Sequence, residues 1–183
     1  MQERCRIVFS GSGGQGVITA AIILAEATVM YGGLNAVQSQ SYGPEARGGA
    51  TRSDVIVSES EIFFPKVLQP NVLICLTQTA FEKYKNILRP GGILITDSGL
   101  VKPDNRVDAR KIQLPLYKAV MDEIGKPVVF NISVLGAVTA IKPIVNTESI
   151  IEVLKKRLPA ELVNLNRKAL ELGHGLASRA LGN

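Results

Sequence analysis

The segment Gly11-Ser12-Gly13-Gly14-Gln15-Gly16 constrains this chain more than any other. Before it, residues 4–10 read RCRIVFS, a short buried strand. After it, residues 17–30 run on as a helix rich in Ala, Ile and Leu, stopped by Tyr31-Gly32-Gly33. Strand, glycine turn and helix together open a βα unit. Glycines serve there for tight turning, close approach of backbone to a ligand and close helix–strand packing.

The rest of the chain continues the alternation. Residues 35–40 and 52–57 read as strands, and Ile62-Phe63-Phe64 as a further short one. The unbroken apolar run 72–76 suits a strand covered on both faces. Residues 79–88 read as a helix ended by Pro90-Gly91-Gly92, then 93–97 as a buried strand, 111–114 as a weaker strand and 116–124 as a helix. Residues 131–141 are helix-like, with Asn131 or Ser133 available as N-cap. Two amphipathic helices, 147–158 and 160–180, follow on either side of Pro159. This order predicts an α/β fold: a Rossmann-like, doubly wound, mainly parallel sheet with C-terminal helices packed on it. A length of 183 residues with 46% hydrophobic content is enough for one such domain over residues 1–183.

Composition narrows the function. The net charge is +5, but the basic residues are scattered. The densest clusters, Lys155-Lys156-Arg157 and Arg167-Lys168, fall within helical patterns and read as solvated faces. Aromatics are few, so no nucleic-acid partner is expected. The longest apolar stretch, 17–25, is too short to span a membrane. No signal peptide is read at the start, and a cytoplasmic location is expected. Cys5 and Cys75 lack metal-ligand spacing, and a cubane iron–sulfur cluster needs four thiolates; no metal site is expected. The lone histidine, His174, lies between two glycines in the last helix, so no Ser/His/Asp or Cys/His arrangement can be assembled, and no catalytic residue is assigned.

The glycine loop leaves alternatives open. Dinucleotide binding calls for an acidic residue at the end of the second strand, to hold the ribose hydroxyls. That strand instead ends Val37-Gln38-Ser39-Gln40-Ser41, and Glu26 sits inside the first helix. A structural turn, another phosphate-bearing ligand or a protein partner remain as readings. The second constellation is Tyr42-Gly43-Pro44-Glu45-Ala46-Arg47-Gly48-Gly49. Gly43-Pro44 and Gly48-Gly49 pin its ends, and Glu45 and Arg47 offer one charge of each sign. It is expected beside the glycine loop, at the carboxyl ends of the strands where such sheets bind ligands.

Together, GSGGQG and SYGPEARGG at this spacing resemble the gamma subunit of 2-oxoacid:ferredoxin oxidoreductases. The resemblance extends over the whole chain, including Asn166, Ala169 and Gly173 on the last helix, and the second loop is most similar to the 2-oxoglutarate branch. It implies an accessory subunit with alpha, beta and ferredoxin-like delta partners, and with ferredoxin as the electron acceptor. The complex would decarboxylate a 2-oxoacid on thiamine diphosphate with magnesium and pass electrons through iron–sulfur clusters. It would load the acyl group on coenzyme A. This chain has neither GDG with an Asn pair for the magnesium nor a cysteine quartet, so those cofactors would belong to partner chains. Two candidate site segments follow: Gly11, Ser12, Gly13, Gly14, Gln15 and Gly16 as a ligand or interface loop, and Tyr42, Gly43, Pro44, Glu45, Arg47, Gly48 and Gly49 as a coenzyme A or subunit-interface loop. The competing readings are a free-standing NAD- or FAD-dependent oxidoreductase and a non-catalytic scaffold subunit.

Overall fold

A computed structural model describes residues 4–40 and 49–182. They form a six-stranded sheet in the order β2-β3-β1-β4-β5-β6. Four strands run parallel side by side: β1 (Cys5–Gly11), β4 (Val72–Cys75), β5 (Gly92–Asp97) and β6 (Ala109–Leu114). The α/β, mainly parallel architecture expected from the sequence is the one observed.

The strand order beyond β1 departs from a fully parallel sheet. β2 (Asn35–Gln40) does not lie next to β1; β3 (Thr51–Ser58) intervenes, antiparallel to both neighbours. The reason lies in the connection. Parallel neighbours need a crossover of a dozen or more residues, which the link between Gln40 and Thr51 is too short to supply, so β3 turns back along β2.

One face of the sheet carries α1 (Val17–Tyr31), α3 (Leu116–Glu123), α4 (Phe130–Ile141), α5 (Thr147–Arg157) and α6 (Ala160–Leu181). α4 is buried on nearly every side, as its mostly apolar sequence requires. Asn131 and Ser133 lie inside its first turn rather than capping it, and Ser133 Oγ donates to Phe130 O at 2.8 Å. α6 crosses α4 through the small residues of its sequence pattern: a Cβ on Gly173 would stand 1.8 Å from Ser133 O. Among the described residues the opposite face carries α2 (Gln78–Tyr84), a short 3-10 turn and irregular segments. Ile62-Phe63-Phe64, expected as a strand, belongs to one of these segments. No helix among the described residues is long and apolar enough to cross a membrane.

Candidate functional site

The glycine loop sits at the carboxyl end of β1 and is tied together by Gln15. The Gln15 side-chain carbonyl accepts from the Ser12 N–H at 2.8 Å, its amide donates to Leu76 O at 3.4 Å, and its backbone N–H donates to Ser12 O at 3.3 Å. A Cβ on Gly11 would stand 2.4 Å from Gln15 Oε1, so Gly11 must be glycine for this tie to form. Gly16 caps α1 at φ +69°, a left-handed conformation that disfavours side chains. A Cβ there would also come within 2.6 Å of the Asn131 amide.

Asn131 is the site residue that the sequence does not reveal. From the first turn of α4 its Nδ2 donates to Gly16 O at 3.3 Å, across 115 residues of chain, while its buried Oδ1 has no hydrogen-bond partner among the described residues. No short-range pattern signals such a contact.

Gly13 and Gly14 behave differently. Both are exposed, and a Cβ on either would meet nothing within 4 Å. Among the described residues nothing crowds a side chain at Gly13, so the expected intolerance there would have to come from a ligand rather than from helix–strand packing. Ser12, half-buried, has its N–H already engaged by Gln15, which leaves the loop one donor fewer for an anion. The positive end of the α1 dipole remains: α1 has no side-chain cap and no acidic residue in its first turn.

Of the second constellation, Tyr42, Gly43, Pro44, Glu45, Arg47 and Gly48 lie outside the described residues, and Gly49 is a half-buried bend. The base of that segment is well defined. Thr51 pairs with Gly11, so the chain re-enters the sheet level with the glycine loop. Tyr84 Oη donates to Ala50 O at 3.1 Å. Arg52 forms a two-pronged pair with Asp54, at 2.6 and 3.0 Å, and its guanidinium also donates to Val67 O and lies 5.6 Å from the centre of the Tyr84 ring. Asp54 Oδ2 in turn accepts the Val67 N–H at 3.0 Å. This anchor escapes sequence reading because Arg52 and Asp54 sit in an alternating strand, where charges ordinarily face water.

The other polar groups at this end of the sheet serve structure. Asp97, buried at the end of β5, accepts the backbone N–H groups of Gly99, Leu100 and Tyr117 at 2.9, 3.2 and 2.7 Å. Burial pushes the Cys75 thiol up to about 12, against a lesser opposing effect of the hydrogen bond from Ser10, so the thiol stays neutral and inert. His174 lies half-buried within α6, its Nδ1 3.5 Å from Ser178 Oγ. Glu26 pairs with Arg157 and Lys155 with Glu152, as expected of a solvated helix face. Among the described residues no group of three acidic, Cys or His side chains could hold a metal ion.

A glycine turn at a strand end, an uncapped helix behind it and a second loop base at the same end of the sheet define an α/β module built around its strand ends. The chain belongs to the pyruvate ferredoxin/flavodoxin oxidoreductase family, whose model matches residues 6–176. It is 42% identical to the 2-oxoglutarate synthase subunit KorC of Methanocaldococcus jannaschii, covering 97% of this chain and 96% of that one. The keto/oxoacid ferredoxin oxidoreductase gamma subunit of Geobacter sulfurreducens is 40% identical, with a TM-score of 0.85 over 98% of this chain and 99% of that one. The same fold recurs in the 2-oxoglutarate:ferredoxin oxidoreductase of Magnetococcus marinus, solved with 2-oxoglutarate, coenzyme A and succinyl-CoA bound. There the TM-score is 0.87 at 21% identity, and this chain covers 98% of its own length but 32% of that chain.

Proposed function

We propose that this chain is the accessory gamma subunit of a 2-oxoglutarate:ferredoxin oxidoreductase, acting as one cytoplasmic domain within a complex of alpha, beta and delta-type subunits. The observation that carries this reading is end-to-end likeness, at 42% identity, to a separately encoded 2-oxoglutarate synthase subunit. In the reaction, a 2-oxoacid loses carbon dioxide, its acyl group passes to coenzyme A, and two electrons pass to ferredoxin. Thiamine diphosphate and iron–sulfur clusters on partner chains supply the electron sink and the electron path.

This chain's share is positioning. The Gly11–Gly16 turn offers a smooth, side-chain-free surface at Gly13 and Gly14, and the Ala50–Arg52–Tyr84 anchor holds the exit of the Tyr42–Gly49 loop beside it. We assign to these two loops the border of the coenzyme A path and the contact with the catalytic subunits. The guanidinium of Arg47 suits a phosphate of coenzyme A. Reconstitution tests the reading. The purified chain alone should be colourless and should not reduce a viologen dye with 2-oxoglutarate and coenzyme A, and adding the partner subunits should restore turnover. Turnover by the chain alone, or full turnover by the partners without it, would refute it.

The internal capture of the Ser12 N–H favours a second reading, in which the glycine loop is a docking turn with no ligand. Protection of the chain by coenzyme A against thermal unfolding would count against that reading. A shift with NAD instead would point to a free-standing dinucleotide enzyme.

A further inference from the structure

The segment 59–68 is neither strand nor helix, yet its backbone is fastened along its length. Arg4 Nη2 donates to Glu61 O at 2.9 Å, Asn35 Nδ2 to Glu59 O at 3.1 Å and Ser39 Oγ to Pro65 O at 2.7 Å. Farther on, Arg52 donates to Val67 O, and the Val67 N–H donates to Asp54 Oδ2 at 3.0 Å. These ties lay the segment over the sheet, across β3 and toward the start of β1.

Its side chains divide into two sets. Val67 is buried and Ile62 half-buried, both against the smaller core. Phe63, by contrast, is 82% exposed, Phe64 56% and Leu68 72%. Ile62 and Val67 already cover the sheet here, so the two rings add little burial to the fold. Large apolar side chains gathered in water mark a surface that meets another protein. The segment is ordered beforehand by its backbone hydrogen bonds, so little further freedom is lost when the rings are covered.

We propose that Phe63 and Phe64 anchor this chain on the catalytic, thiamine-binding subunits, in an apolar recess that takes both rings. The occupant follows from Arg52. Its guanidinium donates to Val67 O in the aromatic segment and lies 5.6 Å from the centre of the Tyr84 ring. The Tyr84 hydroxyl in turn holds Ala50, at the exit of the Tyr42–Gly49 loop. One residue thus ties the aromatic segment to the loop assigned to contact with the catalytic subunits, and both face the same neighbour. The inference rests on that assignment and adds where the binding energy is concentrated, since a few aromatic anchors dominate most interfaces.

Sedimentation velocity of the reconstituted complex over a dilution series tests it. Phe63→Ala with Phe64→Ala should raise the dissociation constant of this chain from its partner subunits by about tenfold or more. At saturating partner concentration the doubly substituted complex should turn over as the wild type does, since the rings touch no reactant. Met30→Ala, which trims an exposed side chain near the carboxyl end of α1, should leave assembly unchanged. The isolated double variant should keep the wild-type melting temperature. Undiminished assembly of the double variant overturns the inference and leaves the subunit reading intact, whereas a wild-type chain that binds no partner refutes both. Equal weakening by Met30→Ala also overturns it, because the effect would then not belong to the rings. So does a lowered melting temperature of the double variant, because the chain itself would then cover them.

Discussion

The two faces of the sheet are covered by different means. Under α1, α3, α4, α5 and α6 the core is continuous, and helices approach so closely that backbone touches backbone. A Cβ on Gly136 would stand 2.0 Å from Leu170 O, and one on Gly173 would stand 1.8 Å from Ser133 O. On the other face, one short helix and irregular segments cover a smaller core, pinned by polar ties such as Arg52–Asp54–Val67 and Tyr84–Ala50. Close helix packing holds the fold rigid on the first face. The second leaves Phe63, Phe64 and Leu68 exposed and carries the base of the Tyr42–Gly49 loop. Close packing is thereby weighted to the first face, while the loop proposed to border the coenzyme A path rises from the second.

The sharpest way to break that division is Gly173→Leu. No rotamer relieves a clash between Cβ and the Ser133 carbonyl, so α4 and α6 must separate, at a cost of about 3 kcal/mol or more. Chemical denaturation should show this loss, or no folded protein at all. A stable Gly173→Leu variant would mean that the helical face is not the stabilising one.

On the second face, Asp54→Ala strands Arg52 without its partner and frees the Val67 N–H. Arg52 is partly accessible, so the cost should fall below that of a fully buried pair, at about 2 kcal/mol. Limited proteolysis should then cut within residues 59–68 well before the helical face unfolds. Simultaneous loss of both regions would show that the two faces act as one cooperative unit.

How much of this was legible in the sequence follows the same division. β4 is a continuous apolar run, β1 and β5 have apolar centres, and α6 carries its packing stripe in Asn166, Ala169 and Gly173, so these elements can be read directly. The direction of β3 cannot be read from its alternation, because period two is the same for either direction; only the short link after β2 encodes it. Ile62-Phe63-Phe64 has the composition of a strand, yet the chain there crosses the outside of the sheet and leaves both aromatics in water. Of the candidate site, the turn and its helix were legible, whereas the contact of Asn131 with Gly16 was not, since tertiary packing alone creates it.

Arg47→Ala asks whether the second face is a ligand border. Loss of a charge-assisted contact to phosphate costs about 1.5–3 kcal/mol, so the Michaelis constant for coenzyme A in the reconstituted complex should rise about tenfold or more, while that for the 2-oxoacid changes less. Arg47→Lys should restore only part, because an ammonium cannot reproduce the two-pronged fork. Dissociation of the complex with an unchanged constant would make the loop a docking element.

Within the glycine loop a pair of substitutions separates internal packing from external contact. Gly16→Ala meets both a left-handed φ and the Asn131 amide, and should cost about 1–2 kcal/mol of stability. Gly13→Val meets open space, and should leave the melting temperature of the isolated chain nearly unchanged while reducing assembly or coenzyme A affinity. If Gly13→Val changes neither, the loop is only a turn.

The smallest effect expected is a pH dependence from Cys75, which lies in the core of the thinly covered face. Its thiol is raised from an ordinary 9.0 to about 12 in the folded chain, by burial above all. The neutral form is the one the fold accepts. Below pH 9 both folded and unfolded chains hold the proton, and the group adds no pH dependence. Between pH 9 and about 12 the unfolded chain releases the proton while the folded chain retains it, so stability falls as pH rises. One unit above pH 9 the loss is about 1.4 kcal/mol. Denaturation of the wild type and of Cys75→Ala at pH 8 and pH 10 should therefore converge at the higher pH, since the variant has no thiol to ionise. A thiol reagent adds the structural readout. If the ties on this face keep it closed, Cys75 should react in native protein only at the rate of opening, and Asp54→Ala should speed that reaction. Rapid labelling in the unmodified chain would show that the second face opens without help, and that its polar ties do not seal the core beneath.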